Sequence, residues 1–124
     1  MASRPILSPN QVITNGDMSG NITSKVTIIQ NMSQISYDIS WTGSTPVGVM
    51  SVQVSNTYTQ NADGTVRNAG NWNTLTLNTP ANVSGNTGNG FIDIDANGAY
   101  AMRLVYTVGS GTGTMNASVC GKVS

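Results

Sequence analysis

Between Gln34 and Asn56 the chain alternates apolar and polar side chains with a period of two, and this constrains its fold more than any other stretch. Ile35, Tyr37, Ile39 and Trp41 alternate with Ser36, Asp38, Ser40 and Thr42; further on, Met50, Val52 and Val54 alternate with Ser51, Gln53 and Ser55. Side chains that point to opposite faces in turn belong to strands with one buried and one wet face. Thr42-Gly-Ser-Thr-Pro46-Val-Gly48, between the two runs, carries the Gly and Pro that favour a reversal. The segment therefore predicts two long strands joined by a turn.

The same pattern recurs along the chain. Gln11–Thr14 predicts a short strand followed by a turn at Asn15-Gly16-Asp17, and Asn21–Gln30 predicts another strand. Thr74–Asn78, Phe91–Asp95, Tyr100–Val108 and Thr114–Cys120 complete the set. Asn97-Gly98 predicts a hairpin turn, because both residues tolerate positive φ. Gly109–Gly113 predicts another turn and Pro80–Gly90 a loop. No segment has the 3.6-residue period of a substantial helix. The expected fold is all-β, an antiparallel, jelly-roll-like β-sandwich of about eight strands. Pro5 and Pro9 lack the amide hydrogen a ladder needs, so residues 1–11 are expected to form an extended arm before a single domain at 12–124.

Composition excludes several functions. Five Lys and Arg balance five Asp, with no Glu and no His. Without a basic run there is no means to track a phosphate backbone, which argues against nucleic-acid binding. Without His the usual base for a nucleophile and the commonest transition-metal ligand are missing. The single Cys120 forms no intrachain disulfide and no CxxC zinc site, and is expected to be a small core residue. No cofactor is expected. The N-terminal residues lack the apolar run of a signal peptide, and no run is long enough to span a membrane as a helix.

The remaining motifs carry little chemistry. Asp93 and Asp95 share one strand face, but a glycosidase pair needs a cleft between positioned carboxylates; they are read as solvated strand residues and the chain as a non-enzyme. Asp93-Ile-Asp95-Ala-Asn97-Gly98 opens like a calcium loop, yet its twelfth position is Leu104 where a bidentate Glu is required. Four Asn-x-Ser/Thr sequons, at Asn21, Asn31, Asn82 and Asn116, are expected by chance in a chain this rich in Asn, Ser and Thr. Arg103 falls on a wet strand face, where a salt bridge to Asp38, Asp93 or Asp95 is the plain expectation.

The aromatics divide into two groups. Tyr37, Trp41, Tyr100 and Tyr106 lie in phase with apolar neighbours and are expected in the core, Trp41 as its central plug. Tyr58 and Trp72 lie in or beside the long irregular stretch Thr57–Trp72, together with Arg67. Loops of this length in a small domain commonly bind or pack on something. The contact candidates are therefore Pro5, Ile6 and Leu7 in the arm, and Tyr58, Arg67 and Trp72 in the loop.

Two stretches, SWTGSTPVGVMSVQVSN at Ser40 to Asn56 and MRLVYTVGSGTGTMNASVCGK at Met102 to Lys122, carry a resemblance. With weaker likeness elsewhere, nearly the whole chain resembles small β-sandwich structural proteins of tailed bacteriophages, with related domains in predatory-bacterium surface fibres. The resemblance implies a virion location. Its implied role is a capsid decoration or accessory head protein that binds the major capsid protein or other virion proteins, with head-fibre and tail-tip types also in the group. A homo-oligomer, a trimer by expectation, follows from the same reading. The alternative is an adhesive module recognising a cell-surface glycan through Tyr58, Trp72 and nearby Asn side chains.

Overall fold

Two strands of 22 residues, β4 (Gln34–Ser55) and β10 (Ala101–Lys122), run antiparallel beside each other over their whole length. The computed structural model describes residues 6–29, 32, 34–75, 77, 81–95 and 99–122, and only the backbone of residues 6–8, 81 and 95. Around this ribbon lie β1 (Ile6–Asp17), β2 (Ile22–Thr23), β3 (Thr27–Ile28), β5 (Thr59–Gln60), β6 (Val66–Asn68), β7 (Asn73–Thr74), β8 (Ala81–Val83) and β9 (Thr87–Asp95). The described residues thus form an all-β, antiparallel fold of ten strands, eight in one sheet and β5–β6 as a separate pair.

The ribbon has two halves. In the first, Gln34–Thr42 and Thr114–Lys122 are flanked by β9 and β1, giving the order β1-β10-β4-β9. In the second, Gly48–Ser55 and Ala101–Val108 are flanked by β7 and β8 on one side and β2 and β3 on the other.

Straight, β4 would span about 70 Å at 3.3 Å per residue. Asp95 lies opposite Gln34 at one end of β4, and Ala101 lies opposite Ser55 at the other. Six residues of chain reach at most about 20 Å, so the ends of β4 are brought together and the ribbon folds back on itself. The opposite margin agrees: the Lys25 amide, beside the second half, donates to the Val12 carbonyl beside the first at 3.0 Å.

The bend lies where the sequence predicts two turns. Strict alternation would keep one parity buried along each strand, but β4 buries Ile35, Tyr37, Ile39 and Trp41, then Pro46, Met50 and Val52. β10 buries Met102, Leu104 and Tyr106, then Met115, Ala117 and Val119. A change of phase needs a bulge, and register shifts fall between Val108 and Thr112. There Thr45 (φ 49°) and Gly111 (φ 81°) adopt the left-handed region. Gly43–Gly48 and Gly109–Gly113 are therefore a shared corner in a paired ribbon and not two hairpin turns. Buried side chains from both halves meet in one cluster, which includes Met18, Trp41, Met50, Leu104 and Met115.

Other expectations shift with this topology. The Asn97-Gly98 turn lies outside the described residues, and the strands it was expected to join are not neighbours, because β4 separates β9 from β10. Of the expected arm, Pro5 lies outside the described residues, while Ile6 and Leu7 pair with Lys122 and Gly121 in the β1–β10 ladder. The turn expected at Asn15–Asp17 falls within β1, as a bulge with Asn15 at φ 51°. Asp17 then closes the following turn, its Oδ1 accepting from the Ser19 amide and hydroxyl at 2.9 and 2.7 Å.

Asn21–Gln30, expected as one strand, is broken at Ser24. The buried Ser24 hydroxyl accepts from the Leu104 amide at 2.8 Å and donates to the Lys25 carbonyl at 2.9 Å, replacing a ladder bond. Of Thr74–Asn78, Thr74 lies in β7, Leu75 and Leu77 lie outside any strand, and Thr76 and Asn78 lie outside the described residues; the Pro80–Gly90 stretch holds β8 and the start of β9. Cys120, expected in the core, is half-exposed, because it is out of phase with Ala117 and Val119.

Among the expected core aromatics, Tyr37, Trp41 and Tyr106 are buried and Tyr100 is half-exposed. Trp41 sits by the corner instead of at the centre, its indole N–H donating to the Gly85 carbonyl at 3.2 Å. Tyr37 is fully buried, and its hydroxyl has no hydrogen-bond partner among the described residues. Burial pushes its ionisation well above the ordinary phenol value. The neutral phenol is favoured in the fold, so this contribution is complete below about pH 10 and is lost as pH rises above it. Tyr37→Phe removes an unpaired hydroxyl and is expected to leave stability at pH 7 unchanged or raise it by about 1 kcal/mol. Urea midpoints at pH 7 and pH 10.5 check this, with the advantage of the variant growing at the higher pH.

Candidate functional site

The loop after β4 is tied down at its base. The Ser55 hydroxyl accepts from the Thr57 and Tyr58 amides at 3.2 and 3.0 Å, and the Thr57 hydroxyl accepts from the Asn71 amide at 2.6 Å. Tyr58, a contact candidate from the sequence, is buried. Its ring lies 5.6 Å from that of Trp72 at an interplanar angle of 55°, and its hydroxyl donates to Gln60. Trp72 is half-buried and donates to the Ala69 carbonyl at 2.8 Å.

The Arg103 guanidinium lies 4.1 Å from the centroid of the Trp72 ring and its Nε donates to Gln53 at 2.8 Å. Gln53 is the cross-strand partner of Arg103. The expected salt bridge to Asp38, Asp93 or Asp95 is replaced, because those positions belong to the other half of the ribbon. A Tyr58–Trp72–Arg103 stack therefore fastens the loop to the sheet. Such cation–π and aromatic pairs contribute about 0.5–2 kcal/mol each. Trp72→Ala is expected to cost about 1–3 kcal/mol and to speed tryptic cleavage after Arg67, as read by limited proteolysis and mass spectrometry.

Beyond that base the loop presents β5–β6 and their turn. Asp63 Oδ1 accepts from the Thr65 hydroxyl and amide at 2.6 and 3.0 Å. These donors hold its carboxyl below the usual range, so the turn keeps its lock until acid protonates the group. Arg67 and Val66 are exposed on β6. Of the three loop candidates Arg67 alone is exposed, while Tyr58 and Trp72 serve the packing.

A second surface is the outward face of the β1-β10-β4-β9 half. Across it run Ser36, Asp38, Ser40 and Thr42 of β4, Thr114, Asn116 and Ser118 of β10, and Thr87, Asn89, Phe91 and Asp93 of β9, each half-exposed or exposed. They share a face because each is out of phase with a buried neighbour. Asn116 is fixed by the Gln11 side chain and the Asn15 amide, at 3.0 and 2.9 Å. Depressions here are shallow and open: one of about 350 Å³ along Ser40, Thr42, Thr87 and Thr114, another of about 410 Å³ beside Ser36, Phe91, Asp93 and Cys120.

Phe91 rises from this polar field with 67% of its surface exposed. Phe91 is absent from the sequence-based contact candidates, although its phase carries the signal. The alternation that buries Ile92 and Ile94 places Phe91 with Asp93 on the wet side, and an aromatic in that phase needs a reason.

Among the described residues no group of three or more His, Cys, Asp or Glu is placed to hold a metal ion, and no helix is long and apolar enough to cross a membrane. Comparison with protein-family models and with curated proteins finds no match to this chain.

Proposed function

We propose that this chain is a non-catalytic structural protein of a virion, a capsid decoration or accessory head protein built as a jelly-roll-like β-sandwich. The sandwich reading rests on the folded-back ribbon and its single core. The functional reading is carried by one observation: the chain offers a broad, firmly laddered sheet face, mostly of short Ser, Thr and Asn side chains with Asp38, Asp93 and Phe91 among them, and the depressions described on it are shallow and open. Such a surface suits packing against many neighbours, where each contact is weak and the array supplies the strength. Its partners on this reading are the major capsid protein or other virion proteins and further copies of itself. The resemblance of Ser40–Asn56 and Met102–Lys122 to phage structural proteins points the same way.

The test is mass spectrometry of purified particles from cells carrying the gene. The 12.9 kDa chain is expected at a fixed stoichiometry to the shell protein, and particles without it would sink the reading.

A second reading, recognition of a cell-surface glycan, is favoured by the exposed Phe91 ring between Asn89 and Asp38. An aromatic face and planar amide or carboxylate groups are what a sugar ring stacks on and bonds to. This moves the glycan site away from Tyr58 and Trp72, whose rings are engaged in the stack. A glycan array with the wild type and Phe91→Ala separates the readings: binding lost in the variant supports the second, and no binding by either protein removes it.

A further inference from the structure

Strand edges invite unwanted pairing, and proteins blunt them with bulges, prolines, lysines or short strands. Among the described residues, every sheet margin but one is blunted. β1 carries Pro9 and three register shifts, and the Lys25 amide bonds to Val12 along it. β2, β3, β7 and β8 are only two or three residues long. β9 is different. Its nine residues pair with β4 in unbroken register, contain no Pro, Lys or Arg, and have no strand on the far side among the described residues.

We infer that β9 is a dimerisation edge, pairing antiparallel with β9 of a second copy about a two-fold axis at Phe91. The sequence TGNGFIDID is self-complementary in this register. On the outward face Phe91 meets Phe91 of the second copy, covering the most exposed large apolar side chain described, and Asp93 lies opposite the neutral Asn89. On the inward face Ile92 lies opposite Gly90, large against small, and the space where Gly90 would carry a Cβ is open, while Ile94 lies opposite Gly88, whose own Cβ position is taken up by the Trp41 ring. Moving the axis to Asp93 would set two carboxylates against each other, which is unfavourable. The result is a closed dimer with one continuous sheet, β1-β10-β4-β9 followed by its symmetry copy, in place of the trimer expected from the sequence.

The inference does not rest on the virion reading and is tested on the isolated chain. Light scattering and sedimentation between about 1 and 100 µM are expected to show a concentration-dependent dimer, within the usual range of protein association. Asn89→Asp sets like charges opposite each other twice per dimer and is expected to weaken it about three- to tenfold, while Asn89→Lys, facing Asp93 twice, tightens it. In a Cys120→Ser background, Phe91→Cys is expected to oxidise to a covalent dimer. Opposed Cα atoms in an antiparallel pair lie about 4.5–5.5 Å apart, within disulfide reach. A wild-type chain that stays monomeric throughout overturns the proposal. So does a dimer that responds alike to both Asn89 variants, or a Phe91→Cys protein that crosslinks no faster than Val66→Cys.

Discussion

Gly111→Ala is expected to destabilise the protein by about 3–5 kcal/mol, combining a left-handed backbone cost with overpacking. Gly111 sits in the shared corner at φ 81°, and a Cβ there would overlap the Thr45 carbonyl oxygen and press on Pro46. The obstacle is backbone of the neighbouring strand, so no side-chain rotation relieves it. Gly64 is the control. It has φ 90° but open space around its Cβ position, so Gly64→Ala carries the conformational cost alone, about 1 kcal/mol. Thermal melts followed by circular dichroism should separate the pair by roughly 10 °C. Equal losses would mean that the corner tolerates rearrangement.

Leu104→Ala has the second large effect, an expected loss of about 2–5 kcal/mol. Leu104 is fully buried, lies opposite Val52, and both its backbone groups are engaged by Ser24. The strand beneath the side chain is thus pinned by its neighbours and has little freedom to close on a cavity, which places the cost toward the upper end. Against a total of 5–15 kcal/mol for a domain this size, the variant approaches the limit of folding at 37 °C. A urea titration should show a lowered midpoint with an unchanged slope, since the same surface is exposed on unfolding.

The strands were legible in the sequence because burial of one face imposes a period of two. Ile35 to Trp41 and Met102 to Tyr106 follow it residue by residue. Pairing was not legible. Gly, Pro and a positive-φ residue at Gly43–Gly48 meet the requirements of a hairpin turn and of a bent corner equally well. The difference depends on whether the neighbouring strand is near or far in sequence. The parity change from Trp41 to Pro46 is the one local clue, since two strands of a simple hairpin need not change phase in concert with a distant pair. The candidate site was partly legible for a similar reason. Their place in or beside the long irregular stretch singled out Tyr58 and Trp72, but only the fold places Arg103 against Trp72. Phe91 was available from phase alone.

The β4–β10 ribbon has a consequence for how the chain reaches its native state. Its nearest partners, Ser55 and Ala101, are 46 positions apart, and its farthest, Gln34 and Lys122, are 88 apart. No short turn can start this ladder, so the entropy of closing a long loop is spent before the first central contact forms. Folding is therefore expected on a scale of milliseconds to seconds. During that interval β9, the margin proposed for pairing, depends on a β4 that is itself still waiting for β10. High expression or elevated temperature would then favour off-pathway pairing of β9, which makes the edge proposed for assembly also the place where misassembly begins.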